Sequence, residues 1–188
     1  MKNIIADKIR NIKKNPSILI VDDVNKNLQL MATILLDKGY DIRIASNGKQ
    51  ALSSLDQEAV DLILLDVMMP EMDGYETCTR VKELPEAADT PVIFITAKTD
   101  SEDIVKGFEA GGVDYITKPL QKEEVVARVT THLKIARLTR DLSEKNRKLE
   151  QNSNELKESL AQVASLSDLI TLCSVCKQPR KNATSWTC

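Results

Sequence analysis

Five residues of this chain each close a short apolar run. Asp22 and Asp23 follow Ile18-Leu19-Ile20-Val21, and Asp66 follows Leu62-Ile63-Leu64-Leu65. Thr96 follows Val92-Ile93-Phe94-Ile95, and Lys118 follows Tyr115-Ile116-Thr117. Such runs read as buried parallel strands. Open α/β sheets take ligands at the carboxyl ends of their strands, so three carboxylates, a hydroxyl and an ammonium are expected in one crevice. Three close carboxylates cannot all ionise without a counter-charge. A hard divalent cation supplies one, and Mg²⁺ combines a few carboxylates with waters and phosphate oxygens. Lys118 and Thr96 then suit a phosphoryl group, one as a charge and the other as a hydrogen-bond donor. Any one of these acids alone would read as a helix cap or a loop residue. Caps do not explain five such residues at successive strand ends.

The elements that must position them alternate. Ser17 to Val21 reads as a strand, Asn27 to Lys38 as a helix stopped by Gly39, and Asp41 to Ala45 as a strand. Lys49 to Asp56 reads as a short helix, and the strand ending at Asp66 leads into a loop containing Pro70. A helix over Tyr75 to Leu84, the strand ending at Thr96, a helix over Ser101 to Ala110 and the strand ending at Thr117 complete the series. Strands alternating with helices predict a five-stranded, doubly wound parallel α/β sheet.

Composition marks where that fold ends. The chain has 188 residues, 26 Lys+Arg against 28 Asp+Glu, and a net charge of -2. This balance argues against a dedicated nucleic-acid binder. No apolar run has membrane-spanning length, and no secretory h-region follows the start. All six Gly lie between Gly39 and Gly112, and no Gly, Pro or aromatic occurs from Leu120 to Gln178. The compact core is therefore expected before residue 120, and one long helix after it. Residues 1–15 form a polar, basic arm. The single His132 excludes a His-rich metal site. With no signal peptide, four Cys do not suggest a disulfide framework, and the chain is expected to be cytoplasmic.

Residues from about Ser17 to about Leu133 resemble the receiver domain of two-component response regulators. The matching motifs are Asp22-Asp23, Asp66-Val-Met-Met-Pro-Glu-Met-Asp-Gly, Phe94-Ile-Thr-Ala, Gly111-Gly-Val-Asp-Tyr and Ile116-Thr-Lys-Pro. The resemblance implies a flavodoxin-like (CheY-like) fold over 16–133. It implies that Asp66 accepts a phosphoryl group from a histidine kinase or phosphotransfer protein. It also implies that Asp22, Asp23, Asp66 and the Met68 carbonyl hold Mg²⁺, that Thr96 and Lys118 engage the phosphoryl group, and that Thr96 and Tyr115 form the switch. The bond to Pro119 is expected to be cis. In such a site a polar pair at the positions of Met68 and Lys98 would orient hydrolytic water. Met68 cannot, so slow self-dephosphorylation is expected.

The last receiver helix, starting near Lys122, has no stop signal. Ile135, Leu142, Leu149, Leu156, Val163 and Ile170 recur every seven residues, the signature of a coiled coil. The companion column is Thr139, Asn146, Ser153, Leu160 and Ser167. Asn146 in that seam favours a parallel, in-register homodimer. The coil is assigned to 134–172 and a Cys-containing tail to 173–188. The tail carries Cys173-x-x-Cys176, half of the four ligands a zinc site needs. It reads either as unpaired thiols or as half of a metal or redox site completed across a dimer. A similar short Cys-x-x-Cys-Lys element follows coiled coils in some bacterial signalling proteins. No catalytic or DNA-binding output is visible, so the chain reads as a response regulator rather than an enzyme. The alternatives are a partner-binding adaptor, a regulatory piece of a larger cyclase, phosphatase or kinase, or a phosphatase or isomerase on a similar sheet.

Overall fold

The computed structural model describes residues 15–97 and 101–169. Five strands alternate with five helices: β1 (Ser17–Val21), α1 (Asn25–Leu36), β2 (Asp41–Ala45), α2 (Gly48–Gln57), β3 (Leu62–Asp66), α3 (Gly74–Glu83), β4 (Val92–Thr96), α4 (Ser101–Glu109), β5 (Asp114–Thr117) and α5 (Lys122–Leu169). All strand pairs are parallel, in the order β2-β1-β3-β4-β5. This is the five-stranded, doubly wound parallel sheet that the sequence pattern predicts, in the flavodoxin-like form that the resemblance implies. Every residue of β3 and β4 is buried, because helices cover both faces of the sheet.

The pleat sorts neighbouring residues of each apolar run onto opposite faces. Leu19, Val21, Ile63, Leu65 and Phe94 join Ala51 and Leu55 of α2 and Cys78 and Val81 of α3 in one core. Ile18, Ile20, Leu62, Leu64, Ile93 and Ile95 join Leu28, Met31, Ile34 and Leu35 of α1 and Val125 and Val129 of α5 in the other. Near-continuous apolar runs are thus needed for two-sided burial.

Boundaries differ by one or two residues at several helix ends. Helix α1 starts at Asn25 rather than Asn27. The Val24 amide donates to Asp22 Oδ1 at 2.8 Å, and the Val24 carbonyl accepts from Asn27 and Leu28, so the first turn is set up from Asp22. The helix closes before Gly39, whose φ of +80° lets the chain turn into β2. The Lys118–Pro119 bond is cis, as the resemblance implies.

The chain divides into two units, the first ending at Leu138 and the second beginning at Thr139. Helix α5 is unbroken over 48 residues. In the first unit, Ile135 and Leu138 are exposed; in the second, Leu142, Leu149, Leu156, Leu160 and Val163 are each 60% exposed or more. Glu144 and Lys148, four residues apart on this helix, pair at 2.5 Å. Ile170, Cys173, Cys176, Lys98 and the N-terminal arm up to residue 14 lie outside the described residues. Among the described residues, no helix is long and apolar enough to cross a membrane.

Candidate functional site

Adjacent parallel strands bring their last residues to one edge. The register pairs Asp66 with Ile95, and Thr96 with Thr117, which sets Lys118 next in line. Asp22, the first residue after β1, is fully buried; Asp66 and Thr96 are nearly so, while Asp23 is exposed. One oxygen from each of Asp22, Asp23 and Asp66 lies within 4.8 Å of the others. The Lys118 ammonium bridges the two buried acids, donating to Asp66 Oδ1 at 2.9 Å and Asp22 Oδ2 at 3.2 Å. The structure thus brings together Asp22, Asp23, Asp66 and Lys118, with Thr96 one residue beyond the strand neighbour of Asp66.

One ammonium does not balance two buried carboxylates. Burial pushes the Asp66 carboxyl up, and the neighbouring Asp22 charge adds to this; the bonds from Lys118 and from the Met68 amide only partly offset it. Burial works against the Lys118 charge, but the hydrogen bonds and charges of Asp66 and Asp22 outweigh it and hold its pKa above the ordinary lysine value. The site is therefore short of positive charge, and its donors are hard oxygens. That chemistry fits a hard divalent cation.

The approach to the acids is open. A cleft of about 380 Å³ is lined by Asp23, Val67, Met68, Met69, Pro70, Asp73 and Tyr75, and Met68 is 59% exposed at its mouth. Its floor is tight. A Cβ on Gly74 would sit 2.3 Å from the Asp66 carbonyl oxygen, so only glycine lets α3 start this close to β3. Asp73 caps α3, accepting from the Glu76 amide at 2.8 Å.

Beyond Thr96 lies a small, mainly apolar cavity of about 20 Å³, lined by Thr96, Tyr115, Tyr75, Phe94, Gly107 and Phe108 among others. The Tyr75 ring meets Phe94 edge-on, and its hydroxyl donates to the Asp103 carbonyl at 3.0 Å. Tyr115 is half-buried, with the Arg128 guanidinium 5.7 Å above its ring. Arg128 donates to both Asp114 oxygens, at 2.8 and 2.9 Å, and His132 Nε2 stands 3.0 Å from Asp114 Oδ2. Arg128 also donates to Glu124.

Two groups of residues here were not anticipated from the sequence. The Asp114–Arg128–His132 cluster joins β5 to α5, a pairing visible only once the two elements are side by side. Asn27, inside α1, turns its amide back onto both oxygens of Asp22, at 3.0 and 2.9 Å. Its place in the first turn of α1, five residues after Asp22, was the available signal.

A family model described as the response regulator receiver domain matches residues 18–130. The chain is 46% identical over 117 residues to a Vibrio cholerae protein named "Probable cyclic di-GMP phosphodiesterase", covering 62% of this chain and 26% of that one. It is 41% identical over 122 residues to the transcriptional regulatory protein YvrH of Bacillus subtilis, covering 64% of this chain and 50% of that one. The chain thus spans about a quarter to a half of these relatives. Among solved structures, the receiver domain of a signal transduction histidine kinase from Syntrophus aciditrophicus is similar at a TM-score of 0.59 and 37% identity, covering 63% of this chain and 90% of that one. The Vibrio cholerae chemotaxis protein CheY4 is similar at a TM-score of 0.60 and 28% identity, covering 64% and 99%.

Proposed function

The chain belongs to the response regulator receiver family, and from that premise we propose that it accepts a phosphoryl group on Asp66 in a two-component phosphorelay. One observation carries the reading: a single ammonium, Lys118, bridges two buried carboxylates at the strand ends, with a third acid beside them. In this reading Asp22, Asp23, Asp66 and the Met68 carbonyl hold Mg²⁺. When bound, that ion neutralises charge on the phosphoryl oxygens and on the acids. The Asp66 carboxylate attacks phosphorus in line, the bond to the donor breaks, and an acyl phosphate remains. Its added charge draws Lys118 and the Thr96 hydroxyl. Thr96 moves toward the phosphoryl group, and Tyr115 fills the space it leaves in the cavity they share. The donor is a histidine kinase or phosphotransfer protein, and the setting is cytoplasmic.

The output runs through α5. Its exposed heptad stripe suits a second copy of the chain in a parallel coiled coil, and the polar layer at Asn146 sets register rather than strength. The role is regulatory: the phosphoryl chemistry is confined to Asp66, and a catalytic output belongs to whatever the coil controls. The Vibrio relative named as a phosphodiesterase keeps open a second reading, in which this chain is the regulatory part of a larger signalling enzyme. Transfer from a phosphohistidine donor tests the common core. It is expected to require Mg²⁺ and to stop with a chelator; transfer undiminished by chelation contradicts the assignment.

A further inference from the structure

We propose that Asn27 is a positioning residue of the acidic site, holding the Asp22 carboxylate in place so that Lys118 is free to leave it for a phosphoryl group. The inference rests on the reading of Asp22, Asp23 and Asp66 as the magnesium-holding set. Asp22 is fully buried, and its donors come from two sources. Two are local: the Val24 amide on Oδ1 at 2.8 Å, and the Asn27 amide nitrogen 3.0 and 2.9 Å from Oδ1 and Oδ2. One is remote: Lys118, at 3.2 Å, which bonds Asp66 more closely at 2.9 Å.

Phosphorylation changes the claims on these donors. An acyl phosphate at Asp66 brings about two negative charges and three acceptor oxygens, and Lys118 is the ammonium already on Asp66. As Lys118 turns to it, Oδ2 of Asp22 loses a charged donor. A buried carboxylate oxygen left without a partner is costly. The Asn27 amide is the side-chain donor that stays. A carboxylate only accepts, so the amide nitrogen must face it, and that nitrogen stands within hydrogen-bond distance of both oxygens. Because Asn27 is neutral, it fixes the carboxylate plane without competing in charge with a divalent cation. Lys or Arg at this position would orient Asp22 equally well and repel the metal. Partners that orient a metal-binding carboxylate typically change metal affinity by about 10–100-fold when removed.

The test measures Mg²⁺ binding to the unphosphorylated full chain by titration calorimetry. N27L keeps the side-chain size and removes both N–H donors; N27S, a smaller change, leaves one hydroxyl. Mg²⁺ affinity is expected to fall about 10-fold in N27L and less in N27S, with the wild-type circular dichroism spectrum retained. If N27L does not fold, N27S carries the test. Each is repeated with K118M. There Asn27 is the side-chain donor left on Asp22, so the loss caused by N27L is expected to be larger than in the Lys118 background; a purely structural role would give the same loss in both. Wild-type affinity in both Asn27 variants overturns the inference and leaves the acidic site standing. Absence of Mg²⁺ binding in the wild type overturns the site itself, and the role of Asn27 with it.

Discussion

Replacing Asp66 with Asn should make the metal-free protein more stable. Asp66 is 2% exposed, and it shares one ammonium with Asp22. Burial and the Asp22 charge raise its pKa above the ordinary carboxylate value despite Lys118, so the folded protein is a worse place for this charge than water. Asn keeps the shape and an oxygen that accepts from Lys118, and it removes the charge. Replacing a buried ion pair or triad outright is often neutral or stabilising, by up to about 1–4 kcal/mol, and removing a single partner is costly where it strands the other charge. The lower end applies here, because the Lys118–Asp22 pair survives. About 1–2 kcal/mol corresponds to a melting-midpoint rise of roughly 3–8 °C for a fold of this size. The assay is thermal unfolding by circular dichroism in chelator, then in Mg²⁺. A ligand at about 100 times its dissociation constant adds roughly 2.7 kcal/mol, and D66N should lose most of that increment. The order of the two proteins should therefore narrow or reverse in Mg²⁺. The pH dependence has a fixed sign. A carboxyl whose folded pKa lies above its unfolded value binds protons more readily when folded, so wild-type stability gains as pH falls through the folded pKa. The gap to D66N should close there. A D66N midpoint below wild type in chelator would mean that the Asp66–Lys118 bond outweighs the cost of the buried charge, and would refute the reasoning.

Three further outcomes are expected. Burial pushes the Asp114 carboxyl up, but the bonds from Arg128, the Tyr115 amide and His132 outweigh this and lower its pKa. Its contribution is thus complete above the unfolded carboxylate pKa and lost as pH falls through the lower folded value. D114N should cost about 1 kcal/mol at neutral pH, and unchanged acid and thermal unfolding curves would contradict the cluster. Met68 offers no polar side-chain group at the mouth of the site, so the acyl phosphate should persist for minutes or longer in purified protein; decay within seconds would count against that. Leu149→Asp places a charge in the exposed heptad stripe and should abolish self-association in sedimentation, whereas equal association of variant and wild type would remove the coil from the account.

The parts of the fold that were legible are those set by burial on both faces. β1, β3 and β4 are apolar runs with an abrupt polar end, and the residue at that end is the one the parallel sheet delivers to the crevice. Asp22, Asp66, Thr96 and Lys118 could be read because strand direction alone fixes which end of the sheet they reach. The same logic does not reach residues whose meaning depends on which elements are neighbours. Arg128 finds Asp114 only because α5 packs beside β5, and the Tyr75 hydroxyl finds the Asp103 carbonyl only because α3 and α4 are adjacent. The start of α1 was misplaced for a related reason. The Asp22 side chain holds the Val24 amide just before the helix and the Asn27 amide within its first turn, so a site residue also anchors the helix start.

The central claim is that Asp66 is where this protein takes up phosphate. The direct measurement is intact and peptide mass spectrometry of the chain after exposure to a small acyl phosphate donor with Mg²⁺, beside D66N treated alike. The account predicts one added phosphoryl group, located on the peptide carrying Asp66 and absent from D66N. Labelling that survives in D66N, or that sits on another residue, would contradict it.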